Sequence, residues 1–211
     1  MGNLLKKVIL HSCIVTFIFS SSFGHSANEK KSVLDVINSD SRFSIFGQMV
    51  ERAGVEHLFN GKIKINATIY VPTNEAFATL PQSMSEALTL EENRGPLIKL
   101  IKSHYFIGTS RDMAEGDYLM TTNINGDKIR IEQAQQLYVK DMIIQNEPIY
   151  VAESKIVPIE CVMYVQPSLS DHRLSVEQQE EFAITSCCLR TLKEVKAFVQ
   201  STVMQAAEGF E

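Results

Sequence analysis

Apolar residues recur at helical spacing through the first half of the chain. A segment beginning near Ser41 places its apolar side chains on one face, and Gly54 follows where a glycine commonly ends a helix. These apolar side chains are Phe43, Phe46, Val50 and Ala53. A short helix capped by Ser32 should precede this one, and a polar helix is expected over residues 83–93. The next apolar face is formed by Leu97, Leu100, Ile101 and His104. His104 is therefore predicted to point inward.

Short strand-like segments replace the helical pattern from Asp117 onward. Asn125-Gly126 separates TTNI from KIRI and predicts a tight hairpin. Further strands are expected in LYVKDMIIQ, in PIYVAES, and in CVMYVQ beyond Pro158. Helices followed by strands indicate an α+β domain rather than alternating βαβ units.

The stretch TIYVPTNEAFATLP, residues 68–81, joins a strand to a short helix. Residues 68–71 are β-branched or aromatic, and Pro72 lacks the N–H that a sheet ladder needs, so the strand should end there. Thr73 can cap the helix that follows, and Pro81 should stop it. A strand that turns sharply into a helix is structural, and this stretch contains no pair of nucleophile and base.

Residues 68–81 closely resemble the first signature motif of the fasciclin domain family. Residues 38–61 are similar to the first helices of that family, 97–108 to its central helix and histidine strand, and 140–158 to its second signature. The resemblance covers roughly residues 32–166. It implies a β-rich wedge flanked by a cluster of small helices, and a function in adhesion or in binding extracellular proteins or glycans.

The N-terminus reads as an export signal over residues 1–27. Lys6 and Lys7 precede an apolar run from Val8 to Phe19, and small residues follow up to Ala27. The alternative is an uncleaved anchor, but the run is shorter than the roughly 20 residues that a membrane-spanning helix needs. We expect an exported protein that is secreted, periplasmic or held at the cell surface, with the fasciclin-like domain over residues 28–166.

Residues 167–211 lie outside the family pattern and should form a polar linker and an amphipathic helix. Ser175 and Gln178 make a capping-box signal. The apolar stripe comprises Ile184, Cys188, Leu192, Val195 and Val199. Packing against the domain, dimerisation and contact with a membrane surface are all compatible with such a helix, although its few basic residues disfavour the membrane.

Three cysteines remain once a signal peptide is removed: Cys161, Cys187 and Cys188. Adjacent cysteines rarely pair with each other, so Cys161 is expected to bridge to Cys187 or Cys188. The odd cysteine would then be a free thiol or would link two copies of the chain as a homodimer. No CxxC pair or neighbouring histidine pair predicts a metal site.

The net charge of -5 and the absence of a basic cluster beyond the N-terminus argue against nucleic acid as a partner. The chain has no GxSxG, HExxH, phosphate-binding loop or GxGxxG motif, so no enzyme activity and no cofactor are predicted.

Two pairs of residues are candidates for partner binding. Fasciclin domains characteristically carry a Tyr-His pair linked to adhesion; here Ser103 precedes His104, and the tyrosine follows as Tyr105. A core histidine held by a hydrogen bond is the alternative. Asp141-Met142 occupies the place where adhesive members carry Asp-Ile, and an exposed carboxylate there could complete a metal site on a partner. Asp at the start of a strand more often satisfies turn donors.

These features predict a non-enzymatic adhesion or interaction module. A carrier of a small apolar ligand, held between the helices and the sheet, is the second hypothesis. An enzyme and a structural component of the cell envelope remain further alternatives.

Overall fold

The computed structural model describes residues 31–61, 66–108, 113–165, 176–177 and 187–202. The predicted signal peptide, most of the predicted linker and the Ser175–Gln178 capping signal lie outside these residues.

Short helices occupy the first half of the described chain, as the periodicity predicted. The α-helices are α1 (Val33–Ser39), α2 (Ser44–Ala53), α3 (Asn74–Ala78), α4 (Gln82–Ala87) and α5 (Arg94–Ser103), and α6 (Leu192–Thr202) lies at the C-terminal end. The predicted caps are confirmed. Ser32 forms a capping box with Asp35, Thr73 accepts from the N–H of Ala76, and Gly54 ends α2 with φ 69°. That left-handed conformation is the reason glycine suits the position.

Two four-stranded sheets make up the rest of the described fold. Their strands are β1 (Ala67–Pro72), β2 (Tyr105–Ile107), β3 (Tyr118–Thr122), β4 (Lys128–Gln133), β5 (Leu137–Val139), β6 (Met142–Ile144), β7 (Ile149–Val151) and β8 (Ser154–Ile159). One sheet has the order β2-β1-β8-β7 and contains a parallel β1–β8 pair; the other is antiparallel, with the order β3-β4-β5-β6. The hairpin predicted around Asn125-Gly126 joins β3 to β4.

Strand β1 lies inside the mixed sheet, between β2 and β8, and all six of its residues are buried. Ile69 and Val71 belong to a core shared with the helices, whereas Tyr70 belongs to a second core between the two sheets. Alternate side chains of a strand point to opposite faces, so β1 separates two packed layers. The result is a layer of helices, a mixed sheet and a small antiparallel sheet. This is the α+β wedge with a helix cluster that the resemblance implied.

Four details differ from the sequence predictions. The polar helix expected over 83–93 is divided into α4 and a 3-10 turn at Glu91–Asn93. The segment LYVKDMIIQ forms two strands, because Lys140 adopts φ 56° and Val139 pairs with Met142 across a tight turn. Strand β8 extends from Ser154 through Pro158 to Ile159, where no separate strand was predicted. CVMYVQ does not form a strand within its described residues apart from one bridge, Met163 to Cys188.

The C-terminal helix also differs from its prediction, both in where it begins and in which side chains it buries. Residues 187–191 are not helical, because Cys187 and Leu189 form backbone hydrogen bonds with Tyr164 and Val162. The stripe through Cys188 and Leu192 is therefore not the face of a single helix, and Leu192 is 55% exposed. Helix α6 instead buries Val195, Ala197 and Phe198. Leu189, Val195 and Phe198 belong to the same core as the first helices, so the described C-terminal segment packs on the domain.

Candidate interaction surface

His104 and Tyr105 lie in the interior. His104 is 0% exposed; its Nδ1 lies 2.8 Å from the carbonyl oxygen of Leu100, and its Nε2 accepts a hydrogen bond of 2.9 Å from the N–H of Met163. Tyr105 is buried with its ring edge against Phe59, and burial raises its pKa. This geometry agrees with the interpretation of His104 as a core histidine. Neither side chain is offered at the surface.

Asp141 and Met142 occupy the β5–β6 turn and the strand that follows it. The Asp141 carboxylate accepts hydrogen bonds of 2.7 Å from the N–H of Cys187 and from the guanidinium of Arg190. Its side chain is 31% exposed. Met142 is buried, with its sulfur 3.4 Å from that of Cys161. Asp141 therefore anchors the C-terminal segment. The donors it satisfies here belong to that distant segment, whereas the sequence favoured donors of its own turn.

The cysteines join the same region. Cys161 and Cys188 form a disulfide, and Cys187 remains a buried free thiol that donates to the carbonyl of Val139. Burial, followed by the negative charge of Asp141, raises the pKa of the Cys187 thiol to about 12. A bridge through Cys187 to a second chain would require this segment to move.

The exposed side of the antiparallel sheet carries large side chains that the sequence analysis did not single out. Tyr118 is 59% exposed and Met120 58% exposed, and Ile143 is exposed on the far strand. The register pairs Tyr118 with Glu132, Glu132 with Tyr138, and Tyr138 with Ile143, so these residues share one face across all four strands. We call the surface formed by Tyr118, Met120, Arg130, Tyr138 and Ile143 the outer face.

Arg130 lies in the middle of the outer face. Its guanidinium carbon is 4.4 Å from the centroid of the Tyr118 ring, and it forms an ion pair of 3.0 Å with Glu132. Stacking on an aromatic ring and pairing with a carboxylate both restrict an arginine side chain. The opposite side of this sheet packs into the second core through Ile129, Ile131 and Val139.

The strands that form the outer face were predicted, but their exposed side was not identified. KIRIE on β4 alternates charged and β-branched residues, which fixes its outward positions as Lys128, Arg130 and Glu132. Strand β3 has no comparable alternation, since Leu119, Met120 and both threonines are compatible with either side. The hairpin that pairs β3 with β4 was predicted, but its register was not, and this register decides which side of β3 is exposed.

Within the described residues, no group of three or more His, Cys, Asp and Glu side chains is arranged to hold a metal ion. None of the described helices combines the length and the apolar character that crossing a membrane requires. The described surface does carry an exposed patch of aromatic, apolar and arginine side chains on the outer face.

The architecture of two sheets and a helix cluster is that of an α+β domain of the fasciclin type. Residues 41–165 match the Fasciclin domain, more than half of the chain, so this protein belongs to the fasciclin family. That family is associated with adhesion and interaction modules and is generally non-enzymatic.

Two kinds of relatives are similar to the chain. Transforming growth factor-beta-induced protein ig-h3 of Sus scrofa is 25% identical over 170 residues, which is 81% of this chain and 23% of that protein. The protein of the same name from Oryctolagus cuniculus has the same identity and coverage. Protein sll1483 of Synechocystis is 29% identical over 99 residues, 43% of this chain and 54% of that protein. The chain thus spans about half the length of one relative and less than a quarter of the other.

Proposed function

We propose that this protein is an exported, non-enzymatic adhesion or interaction module that binds an extracellular protein through the outer face. The observation that carries the proposal is the exposure of Tyr118, Met120 and Ile143 around Arg130 on one side of a sheet. Membership of the fasciclin family supports the general class of function.

The composition of the outer face favours a protein over a glycan as the partner. Tyrosine, methionine and arginine are enriched in protein interfaces, and tyrosine and arginine supply much of the binding energy where they are central. Met120 and Ile143 add apolar surface that a polar sugar would leave unmatched. Arg130 is already oriented by Tyr118 and Glu132, so less side-chain entropy is lost when a partner binds.

The proposal is tested by measuring how the purified protein binds intact cells, immobilised matrix proteins and matrix glycans. Tyr118→Ser and Met120→Ser should each weaken saturable binding by roughly tenfold, because interface hot spots contribute more than about 1–2 kcal/mol. Tyr150→Ser is the matched control: Tyr150 is 70% exposed on β7 of the other sheet, so its loss should leave binding unchanged.

The other outcomes of these binding measurements distinguish a glycan partner and a different binding site from the proposed ones. Binding to glycan alone would replace the protein partner with a sugar. Loss of binding in Asp141→Asn, with Tyr118→Ser unaffected and both variants fully folded, would move the site to the β5–β6 turn. If no surface binds the wild-type protein, or if Tyr150→Ser weakens binding as much as Tyr118→Ser does, the outer face is not the site.

A further inference from the structure

A cleft among the helices is separate from the outer face and goes beyond the proposed function. It lies between α2, α3 and the α4 region and has a volume of about 340 Å³. This volume is at the small end of the range for small-molecule sites, roughly 300–1,000 Å³. The apolar part of the lining consists of Ile45, Met49, Phe77, Ala78 and Leu88.

The polar side chains of the cleft are not equivalent. The amide of Asn74 is committed to the protein, since it donates to the carbonyl of Ser41 and accepts from the N–H of Ile45. Arg52 donates one hydrogen bond to the carbonyl of Thr89. A guanidinium carries five donors, and no described carboxylate lies within ion-pair distance of this one. The cleft therefore combines an apolar lining with an exposed guanidinium that no described carboxylate pairs with.

We propose that this cleft binds a small amphiphile with one negative charge, of the class of medium-chain carboxylates. The hydrocarbon chain of the ligand lies on Met49, Phe77 and Leu88, and its carboxylate pairs with the Arg52 guanidinium. A planar carboxylate matches the fork of donors that arginine presents, and such a charge-assisted pair is stronger than a neutral hydrogen bond. Among the described residues that line the cleft, Arg52 is the only basic one, which suits a single negative charge rather than a phosphate ester.

This cleft does not lie between the helices and the sheet, where the sequence-based carrier hypothesis placed an apolar ligand. The described core on that side is filled by side chains, including Ile69 and Val71 from β1 and Phe46 from α2. The open volume instead lies among the helices, on the outer side of α2. Because Arg52 is part of this lining, the proposed ligand has a charged head group as well as an apolar chain.

The test uses the full chain and three probes: decanoate, decanol and acetate. Each is titrated below its aggregation limit, and binding is followed by calorimetry and by amide shifts of Met49, Phe77 and Leu88. We expect saturable one-to-one binding of decanoate, weaker binding of decanol and none of acetate. Arg52→Gln should weaken decanoate roughly tenfold and leave decanol unchanged, because only the charged head group loses its partner.

Two further variants separate a site from a general effect. Ala78 is exposed at the end of α3, so Ala78→Trp can fill the cleft without removing a core side chain, and it should abolish binding of both long-chain probes. Arg130→Gln removes an arginine on the outer face and should leave the binding of both decanoate and decanol unchanged. Absence of decanoate binding to the wild type overturns the proposal. Equal affinity for decanoate and decanol, insensitive to Arg52→Gln, overturns the assignment of a carboxylate ligand.

Discussion

His104 shows how burial and hydrogen bonding select one form of a single side chain. Its Nε2 accepts from the N–H of Met163, so the neutral ring with a proton on Nδ1 satisfies both contacts. Protonation of Nε2 would remove that acceptor and place a charge in the core. Burial accordingly lowers the pKa of His104 from 6.5 to about 4, against a smaller opposing effect of the hydrogen bond to Leu100.

The first prediction concerns the pH dependence of stability. Between pH 6.5 and about 4 the unfolded histidine binds a proton that the folded one does not, so the free energy of unfolding falls as the pH is lowered. The part due to His104 is roughly 3 kcal/mol, from about 1.4 kcal/mol for each pKa unit. In His104→Gln, urea unfolding measured between pH 6.5 and about 4 should no longer show this contribution to the pH dependence of the free energy of unfolding.

Carboxylates titrate in the wild type and the variant alike, so the difference between their pH profiles isolates His104. His57→Gln removes an exposed histidine and serves as the control. Parallel pH profiles for the wild type and His104→Gln would contradict the prediction, because they would mean that the ring is protonated equally in the folded and unfolded states.

At the scale of elements, the segment from Cys187 to Thr202 is held by three different interactions. The disulfide joins Cys188 to Cys161, Asp141 binds Cys187 and Arg190, and α6 inserts Phe198 edge-on against Tyr164 at 4.8 Å between ring centroids. The contacts of Asp141 lie at the β5–β6 turn, whereas Phe198 packs in the core shared with the first helices. A segment beyond the matched family region has thus become part of the domain.

The second prediction addresses the disulfide. The bridge closes a sequence separation of 27 residues, for which the chain-entropy relation gives about 3.5 kcal/mol. In urea unfolding, the double variant Cys161→Ala with Cys188→Ala should have a free energy of unfolding about 2–4 kcal/mol lower than that of the wild type. A reductant should lower the free energy of unfolding of the wild type to a similar value and leave that of the variant unchanged. If peptide mapping under non-reducing conditions finds Cys161, Cys187 and Cys188 all as free thiols, the bridge is absent.

The third prediction addresses α6. Phe198→Ala should destabilise the protein by about 3–5 kcal/mol, because a fully buried aromatic ring leaves a cavity. Leu192→Ala on the same helix is the matched control: its side chain is 55% exposed, and it should change stability by no more than about 0.5 kcal/mol. Equal, small effects of the two substitutions in urea unfolding would mean that α6 does not pack on the domain in solution.

For the whole molecule, local signals in the sequence predicted local structure well. Ser32, Thr73 and Gly54 sit where their capping chemistry places them, and Asn125-Gly126 forms the hairpin turn. These features depend on a few consecutive residues. The turn at Lys140-Asp141 was missed because Lys140 adopts φ 56°, a backbone conformation that lysine rarely takes.

Features that depend on distant residues could not be derived from the pattern. Pro158 remains within β8, and its strand is joined to β1 by parallel pairing across more than 80 residues of sequence. The exposure of Tyr118 and Met120 follows from the register with β4, and the cleft at Arg52 follows from the packing of helices. The candidate sites are therefore products of tertiary structure. His104 differs because its inward direction was already set by helical spacing.

The last prediction concerns how much of the chain is needed to fold. The matched region, residues 41–165, excludes Val33 and Ile37 at one end and Leu189, Val195 and Phe198 at the other, and all five lie in one core. At roughly 1.5–3 kcal/mol for each buried apolar side chain, their removal costs about as much as the entire stability of a typical domain. Residues 31–202 should melt cooperatively in circular dichroism, whereas residues 41–165 should not.

The shorter fragment also loses the disulfide, so Cys161→Ala with Cys188→Ala in residues 31–202 is the control that separates the two losses. That variant should retain a cooperative transition at lower temperature, because its core keeps the side chains contributed by both ends. A cooperative transition of residues 41–165 within a few degrees of this control would contradict the argument. The terminal segments would then be additions to a domain complete without them, instead of parts of its core.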